Sequence, residues 1–200
     1  MLYLDETLFI GEGGDKRCYR HPEDKSSCIK IAKNSHGLKV ILKDLKGREK
    51  LKRKQVDLAY IPCYLGTVGT NLGLGYVYEI ITDTDGEISR SLDWYLRLAD
   101  LDAGDVEMIV QAMGRVKDSV FKNEVILKDP KRANFLLQKT ETGYEAKYVD
   151  DLGSEVLIPL EYYISYLARL KIRRKWDKLI IDIKRFHTGL LAKRFIEELK

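Results

Sequence analysis

The chain has 200 residues, enough for one compact domain of one or two lobes with a real hydrophobic core. Hydrophobic residues make up 44% and charged residues 33%, the balance of an ordinary soluble globular protein. No run approaches the ~18 uninterrupted apolar residues of a transmembrane helix, and the first residues lack the basic and apolar regions of a signal peptide, so a cytoplasmic location is expected. Cys18, Cys28 and Cys63 are odd in number with no CxxC spacing, which fits unpaired thiols in a reducing compartment better than a zinc site. The net charge of +4 is unevenly spread: from Glu161 onward eleven Lys and Arg face five Asp and Glu. A solvated helix face is the simpler explanation; an anionic partner at the basic C-terminal helices is the alternative, with no firm sign of nucleic acid.

In chain order, short β-type runs at 3–10, 17–20, 28–32, 63–67 and 75–81 are punctuated by glycines. A Lys- and Leu-rich stretch from Leu38 to about Leu58, with Leu38, Ile41, Leu42 and Leu45 at helical spacing, interrupts them as a helix. After the turn cluster Asp83-Thr84-Asp85-Gly86-Glu87 the pattern changes. Helices are predicted over 92–98 and 106–121, the second with Val106, Ile109, Val110, Met113, Val116 and Val120 on one face and Asp102 or Asp105 as cap. Strands follow at 134–138 and 145–149. The remainder from about Pro159 reads as helical, with Ile164, Leu167, Leu170, Leu179, Ile180, Ile183 and Phe186 at apolar positions. The Tyr162, Tyr163 and Tyr166 group and Trp94 read as packing residues. This is an α+β pattern: a β-rich part with one helix over 1–83 and a helical part over 84–200.

Four motifs carry chemistry. In Ile10-Gly11-Glu12-Gly13-Gly14-Asp15, glycines between two strands let the backbone approach a phosphate closely, although an ordinary hairpin turn explains them equally well. A strand rather than a helix follows, which excludes a Rossmann reading, and no Gly-Lys-Ser/Thr closes a Walker loop. Lys30, inside the apolar strand Cys28-Ile29-Lys30-Ile31, has the setting of a kinase strand lysine that grips ATP phosphates, against the alternative of an edge lysine reaching outward. A buried ammonium needs a carboxylate, for which the next helix offers Asp44 or Glu49. Asp129 and Asn134 have the D-x-x-x-x-N spacing of a kinase catalytic loop, the Asp serving an acceptor hydroxyl and the Asn a Mg²⁺ ion, with Lys131 placed to neutralise a transferring phosphoryl group. Asp150 and Asp151, at a strand end before Gly153, sit where kinases place their metal-chelating carboxylate. Scattered His21, His36 and His187 give no zinc-enzyme pattern.

Arg17-Cys18-Tyr19-Arg20-His21-Pro22-Glu23-Asp24, Cys28-Ile29-Lys30-Ile31, Ile61-Pro62, Leu65-Gly66-Thr67-Val68, Gly73-Leu74-Gly75-Tyr76-Val77-Tyr78 and Leu157-Ile158-Pro159-Leu160 resemble the bacterial YrbL family, over nearly the whole chain. The resemblance implies a protein-kinase-like fold and an association with PhoP-controlled envelope or magnesium responses. Carried over, it makes Lys30 the ATP lysine and Asn134 a metal ligand, and it favours Asp150 over Asp151, which the bare Asp-Leu-Gly pattern would select.

The expectation is therefore a protein-kinase-like two-lobe fold, with an antiparallel sheet and one helix in the N-lobe and a reduced helical C-lobe. Its cofactors are ATP and Mg²⁺. Gly11, Gly13 and Gly14 cover the phosphates, Lys30 grips them with Asp44 as brace, and backbone groups of Glu79–Ile81 meet adenine. Asn134 and Asp150 hold the metal, and Asp129 and Lys131 serve transfer to an acceptor the sequence does not name: protein, sugar, lipopolysaccharide core or small molecule. Leu127-Lys128 in place of His-Arg, Lys16 in place of a third loop glycine, and only fifty residues after Asp150 depart from a standard protein kinase. They keep a pseudokinase, a regulatory binding module without transfer, as the alternative.

Overall fold

The structure, a computed structural model, describes residues 1–152 and 164–200. Gly153, the block 157–160, Tyr162, Tyr163 and the expected helical start near Pro159 lie outside the described residues. The chain forms two compact units. Residues 1–54 and 62–81 make the first; residues 55–61 and 82–200 make the second. The stretch 55–61, which follows the first helix, thus belongs with the second unit, where the Tyr60 carbonyl accepts from Tyr148 N at 2.7 Å and the Ala59 carbonyl from Lys147 Nζ at 2.9 Å.

The first unit holds strands β1 (Phe9–Glu12), β2 (Lys16–Arg20), β3 (Ser27–Ala32), β4 (Tyr64–Thr70) and β5 (Gly73–Glu79), with helix α1 (Ser35–Arg53) between β3 and β4. The sheet is antiparallel in the order β1-β2-β3-β5-β4. The register opposes Cys18 to Lys30 and Lys30 to Tyr76, while Ile29 faces Tyr19 and Val77. Because side chains alternate across a strand, one face gathers Tyr19, Ile29 and Ile31 into a core with Leu4, and the other carries Cys18, Cys28, Lys30, Tyr76 and Tyr78. The expected strand over 3–10 begins only at Phe9. Asp5 instead accepts from Thr7 N at 2.9 Å and from Thr7 Oγ1 at 2.5 Å, and this local bonding diverts Glu6–Leu8 into a 3₁₀ turn.

Helix α1 starts at its Asn34 cap, which accepts from Gly37 N at 3.0 Å. It ends at Arg53, before Gln55 at φ 55°. Its buried side is Gly37, Ile41 and Asp44; of the apolar residues at helical spacing, Ile41 is buried while Leu38 and Leu42 are exposed. Gly37 explains the rotation. A Cβ there would lie 2.2 Å from the Asp15 carbonyl oxygen, so this side of the helix rests directly on hairpin backbone.

In the second unit β6 (Arg90–Ser91), β7 (Phe135–Thr140) and β8 (Gly143–Tyr148) form a three-stranded antiparallel sheet. Helices α2 (Leu92–Leu96), α3 (Ala103–Lys122), α4 (Ser165–Phe186) and α5 (Leu190–Leu199) accompany it. Asp102, rather than Asp105, caps α3 through Gly104 N at 2.7 Å and Asp105 N at 3.0 Å. The expected apolar face of α3 is buried throughout, packed on β8 and α5. Of the expected apolar positions around α4, Leu179, Ile180 and Ile183 are buried, together with Ala168, Ile172 and Trp176, while Ile164, Leu170 and Phe186 are exposed. Trp176 donates its indole N–H to the Leu199 carbonyl at 3.0 Å. Two packing assignments are corrected: Tyr166 is 72% exposed and Trp94 41%, the latter resting edge-on against Tyr95 with Arg90 over its ring. No described helix is long and apolar enough to cross a membrane.

Burial raises the phenols of Tyr60, Tyr95, Tyr144 and Tyr148 above the ordinary tyrosine range, so folding holds them protonated. An unfolded chain releases those protons near pH ~10. Stability is therefore fully present below pH ~10 and falls as pH rises beyond it, because the unfolded state then binds fewer protons. Urea midpoints at increasing alkaline pH should decline, and absorbance at 295 nm should show these phenols ionising only with unfolding.

Candidate functional site

The sequence-selected residues fall into two clusters, one in each unit. In the first, Lys30 lies mid-strand on β3 with its ammonium 4.7 Å from the centre of the Tyr78 ring. The same Tyr78 reaches α1 through its hydroxyl, 3.5 Å from Asp44 Oδ2. Asp44 is 1% exposed and accepts from Arg48 Nε at 2.7 Å, and Arg48 in turn donates to the Pro62 carbonyl at 2.7 Å and lies over Tyr78. A carboxylate this deeply placed must be paired and hydrogen-bonded, and Arg48 supplies both at once. Glu49, the other carboxylate considered, points outward and pairs with Arg53. Lys30 and Asp44 thus meet on opposite parts of one tyrosine, with Arg48 a third member the sequence reading missed; its i+4 spacing from Asp44 was the available signal.

Beside Lys30 on the same sheet face are Cys18 and Cys28. The neighbouring Cys28 thiol lowers Cys18 to about 7, against burial and with help from Lys30 and Lys16. Cys18 and burial together raise Cys28. Both are free cysteines. The glycine hairpin closes through Gly13 N to the Lys16 carbonyl at 2.9 Å and is braced by Lys33, which donates to the Gly13 carbonyl at 3.2 Å and pairs with Glu12 at 3.0 Å. Gly11, Gly13 and Gly14 have no positive φ, and an added Cβ at any of them meets nothing within 4 Å. The protein's own packing and backbone angles therefore do not demand these glycines. At the end of β5, Glu79 N donates to the Cys63 carbonyl and Ile80 N to the Ser26 carbonyl, so neither N–H is available to a base. The Glu79 carbonyl accepts from the Cys28 thiol at 3.9 Å.

The second cluster is bound more tightly. Asn134 closes the 3₁₀ turn Arg132–Asn134 just before β7, and its amide nitrogen donates to the Asp129 carbonyl at 2.8 Å and to Asp150 Oδ2 at 3.1 Å. The Asn134 carbonyl accepts from Val149 N at 2.9 Å, joining the loop to the residue after β8. Asp129 N donates to the Tyr148 hydroxyl at 3.0 Å, and that hydroxyl donates to the Asp151 carbonyl at 3.3 Å. A bridge between Leu127 and Leu152 completes the connection. Asp150 and Asp151 consequently differ. Asp150 faces Asn134, whereas Asp151 is 5% exposed with its carboxylate 3.7 Å from Lys128. Asp129 itself is 43% exposed at its side chain and sits 2.5 Å from Lys131, whose ammonium it holds above the ordinary lysine range. Tyr148 was not foreseen; an aromatic at a strand end carries no signal that its hydroxyl will be used.

The donor set at Asn134 and Asp150 is all hard oxygen. The Asn134 nitrogen is committed to its two bonds, so its amide oxygen is the atom it would offer a cation. Mg²⁺ commonly takes one or two such ligands and fills the rest with phosphate and water, so the residues fit that ion. Among the described residues, no three His, Cys, Asp or Glu side chains converge as a metal cage.

An antiparallel five-stranded unit bearing a lysine–tyrosine–carboxylate cluster, followed by an α/β unit with an Asp–Asn–Asp loop, defines an α+β protein with two polar centres. The chain belongs to the family described as PhoP regulatory network protein YrbL, whose model matches residues 2–184. It is 32% identical over 183 residues to the YrbL proteins of Escherichia coli (strain K12) and Shigella flexneri, covering 90% of this chain and 87% of each relative.

Tyr148→Phe removes the hydroxyl that receives Asp129 N and reaches Asp151, leaving a part-buried N–H without its acceptor. The expected loss is about 1–3 kcal/mol, read as a lower urea midpoint with an unchanged slope.

Proposed function

We propose that this chain is an ATP- and Mg²⁺-dependent phosphotransferase of a reduced, protein-kinase-like type, acting in the PhoP regulatory network for which its family is named. The observation that carries the proposal is the Asn134 amide, which ties the Asp129 loop to the Asp150 carboxylate. Those three residues have the spacing and order of a kinase catalytic loop and metal-binding Asp. Supporting it are a lysine on the third strand, a buried helix carboxylate sharing its tyrosine, and a glycine hairpin whose glycines the fold does not require.

In this reading residues 1–83 are the N-lobe and 84–200 the C-lobe of one domain. The backbone of Gly11, Gly13 and Gly14 lies over the triphosphate, Lys30 holds the α- and β-phosphates, and Asp44 fixes the lysine's surroundings through Tyr78. The Glu79 carbonyl and Ile81 N–H orient adenine. Asn134 and Asp150 would hold Mg²⁺, which would supply charge neutralisation at the phosphates. Asp129 takes the proton of the acceptor hydroxyl as its oxygen bonds to the γ-phosphorus; the bond from that phosphorus to the β-bridging oxygen breaks, and ADP leaves with the electron pair. Lys131, kept protonated by Asp129, lies beside that carboxylate to offset charge on the moving phosphoryl group. Catalysis of this kind works through positioning and fixed charge.

Calorimetric titration with Mg·ATP should give saturable binding to the wild-type chain, weakened at least about tenfold in Lys30→Ala, the loss of one charge-assisted phosphate contact. Identical isotherms, or no heat in either, would remove the reading. Turnover of ATP should fall by about two to four orders of magnitude in Asp129→Ala with nucleotide affinity little changed. Binding without turnover in the wild type would instead identify a pseudokinase that uses the fold as a regulatory binding module.

A further inference from the structure

The nucleotide reading leaves two thiols of the first unit unused. Strand register sets Cys18 on β2 directly opposite Lys30 on β3, with Cys28 two residues away on β3, opposite Arg20. Because side chains alternate across a strand, Cys18, Cys28 and Lys30 stand on one sheet face. On its other flank Cys18 opposes Gly11 of β1, where an added Cβ would meet nothing within 4 Å. Cys18 is partly exposed, with a lysine on one side and an opening on the other.

The two thiols are not equivalent. Cys28 is buried, donates to the Glu79 carbonyl at 3.9 Å, and is kept protonated by Cys18 and by burial. Around Cys18 stand Lys16 and Arg20 along β2, Lys30 on β3 and, beyond Tyr78, Asp44 and Arg48 of α1. The Cys28 thiol, Lys30 and Lys16 outweigh burial and bring Cys18 to about 7. The thiolate is the nucleophile, and an ordinary thiol with a pKa of about 8.5 holds little of it at neutral pH. Diagonal neighbours on an antiparallel pair lie about 7–8 Å apart at Cα. A disulfide does not span that distance without backbone movement. An oxidised Cys18 is therefore left for a thiol from solution rather than closed by Cys28.

We propose that Cys18 is a modification site: a hydroperoxide oxidises it to a sulfenic acid, a low-molecular-weight thiol caps it, and the adduct opposite Lys30 shuts out the nucleotide phosphates. In the first step the Cys18 Sγ bonds to one peroxide oxygen, the O–O bond breaks, and the other oxygen leaves as hydroxide with the electron pair. The sulfur is oxidised and the peroxide reduced. In the second step the external thiolate bonds to the Cys18 sulfur, the S–O bond breaks, and the departing hydroxide is protonated to water. Exchange with a further thiol restores Cys18. The reactivity of Cys18 stands on the sheet alone; the blocking role rests on the phosphotransferase reading.

The test treats the wild-type chain, Cys18→Ser and Cys63→Ser with hydrogen peroxide and dimedone and maps the adducts by peptide mass spectrometry. Cys63 is exposed and serves as the internal reference, since access alone would make it react first. Labelling of Cys18 about tenfold faster than Cys63 at neutral pH, with a pH midpoint near 7, supports the proposal. Labelling of Cys18 no faster than Cys63, or a Cys18–Cys28 disulfide in place of the adduct, overturns it. In parallel, Mg·ATP is titrated into chains treated with peroxide and glutathione. Binding lost in the wild type, restored by dithiothreitol and retained throughout in Cys18→Ser supports the blocking role. Unchanged affinity in a fully modified wild-type chain overturns that role and leaves the phosphotransferase reading untouched. If Mg·ATP fails to bind the untreated wild type, that reading falls and takes the blocking role with it, while the labelling still decides the reactivity of Cys18.

Discussion

A single phenol and a single amide organise the polar centre of the second unit. Loops that approach one another must satisfy their backbone groups or leave them unpaired in a low-dielectric interior. Here the Tyr148 hydroxyl takes the N–H of Asp129 and gives its proton to the carbonyl of Asp151, while Asn134 spans the Asp129 carbonyl and the Asp150 side chain. Tyr148 is fully buried between Phe135 and the loop, so its position is set by core packing and the loop inherits that precision. The backbone at Asp129 and Asp151 is thus fixed by a core residue, and Asn134 holds the Asp150 carboxylate against the same loop.

The first unit solves a different problem, keeping charged groups on an inner sheet face. Lys30, Asp44 and Arg48 all engage Tyr78, by ring contact, hydroxyl and ring contact respectively. Removing a charge from water is expensive unless its hydrogen-bonding capacity is met. The aromatic ring provides an apolar yet electrostatically favourable surface for the cations, and Arg48 passes the remaining demand to the Pro62 carbonyl.

Much of this was legible in the chain. Strong periodicity located α3 and its buried face, and glycine punctuation located the hairpins. Asp129, Asn134 and Asp150, singled out by their order in the chain, do touch through the Asn134 amide. What escaped notice follows from tertiary choices that local pattern does not encode. The leucines of α1 suggested a stripe that the close approach at Gly37 rotates out of the core. On α4 the buried face includes Trp176, whose indole reaches the end of α5, and Ile164 and Leu170 near its N-terminal end lie on the surface. Strand Arg90–Ser91 is too short to leave a pattern at all. Arg48 and Tyr148 act through single hydrogen bonds, and composition cannot distinguish such residues from ordinary surface arginine or core tyrosine.

The contact between Gly37 and Asp15 has a mechanical consequence. Asp15 belongs to the glycine hairpin, its carbonyl also accepts from Lys33 N at 2.9 Å, and Gly37 allows the first turn of α1 to seat against that same oxygen. Hairpin tip, strand end and helix start therefore share one pivot. A swing of α1 is geared to the hairpin, so a displacement at either end of this train must be felt at the other.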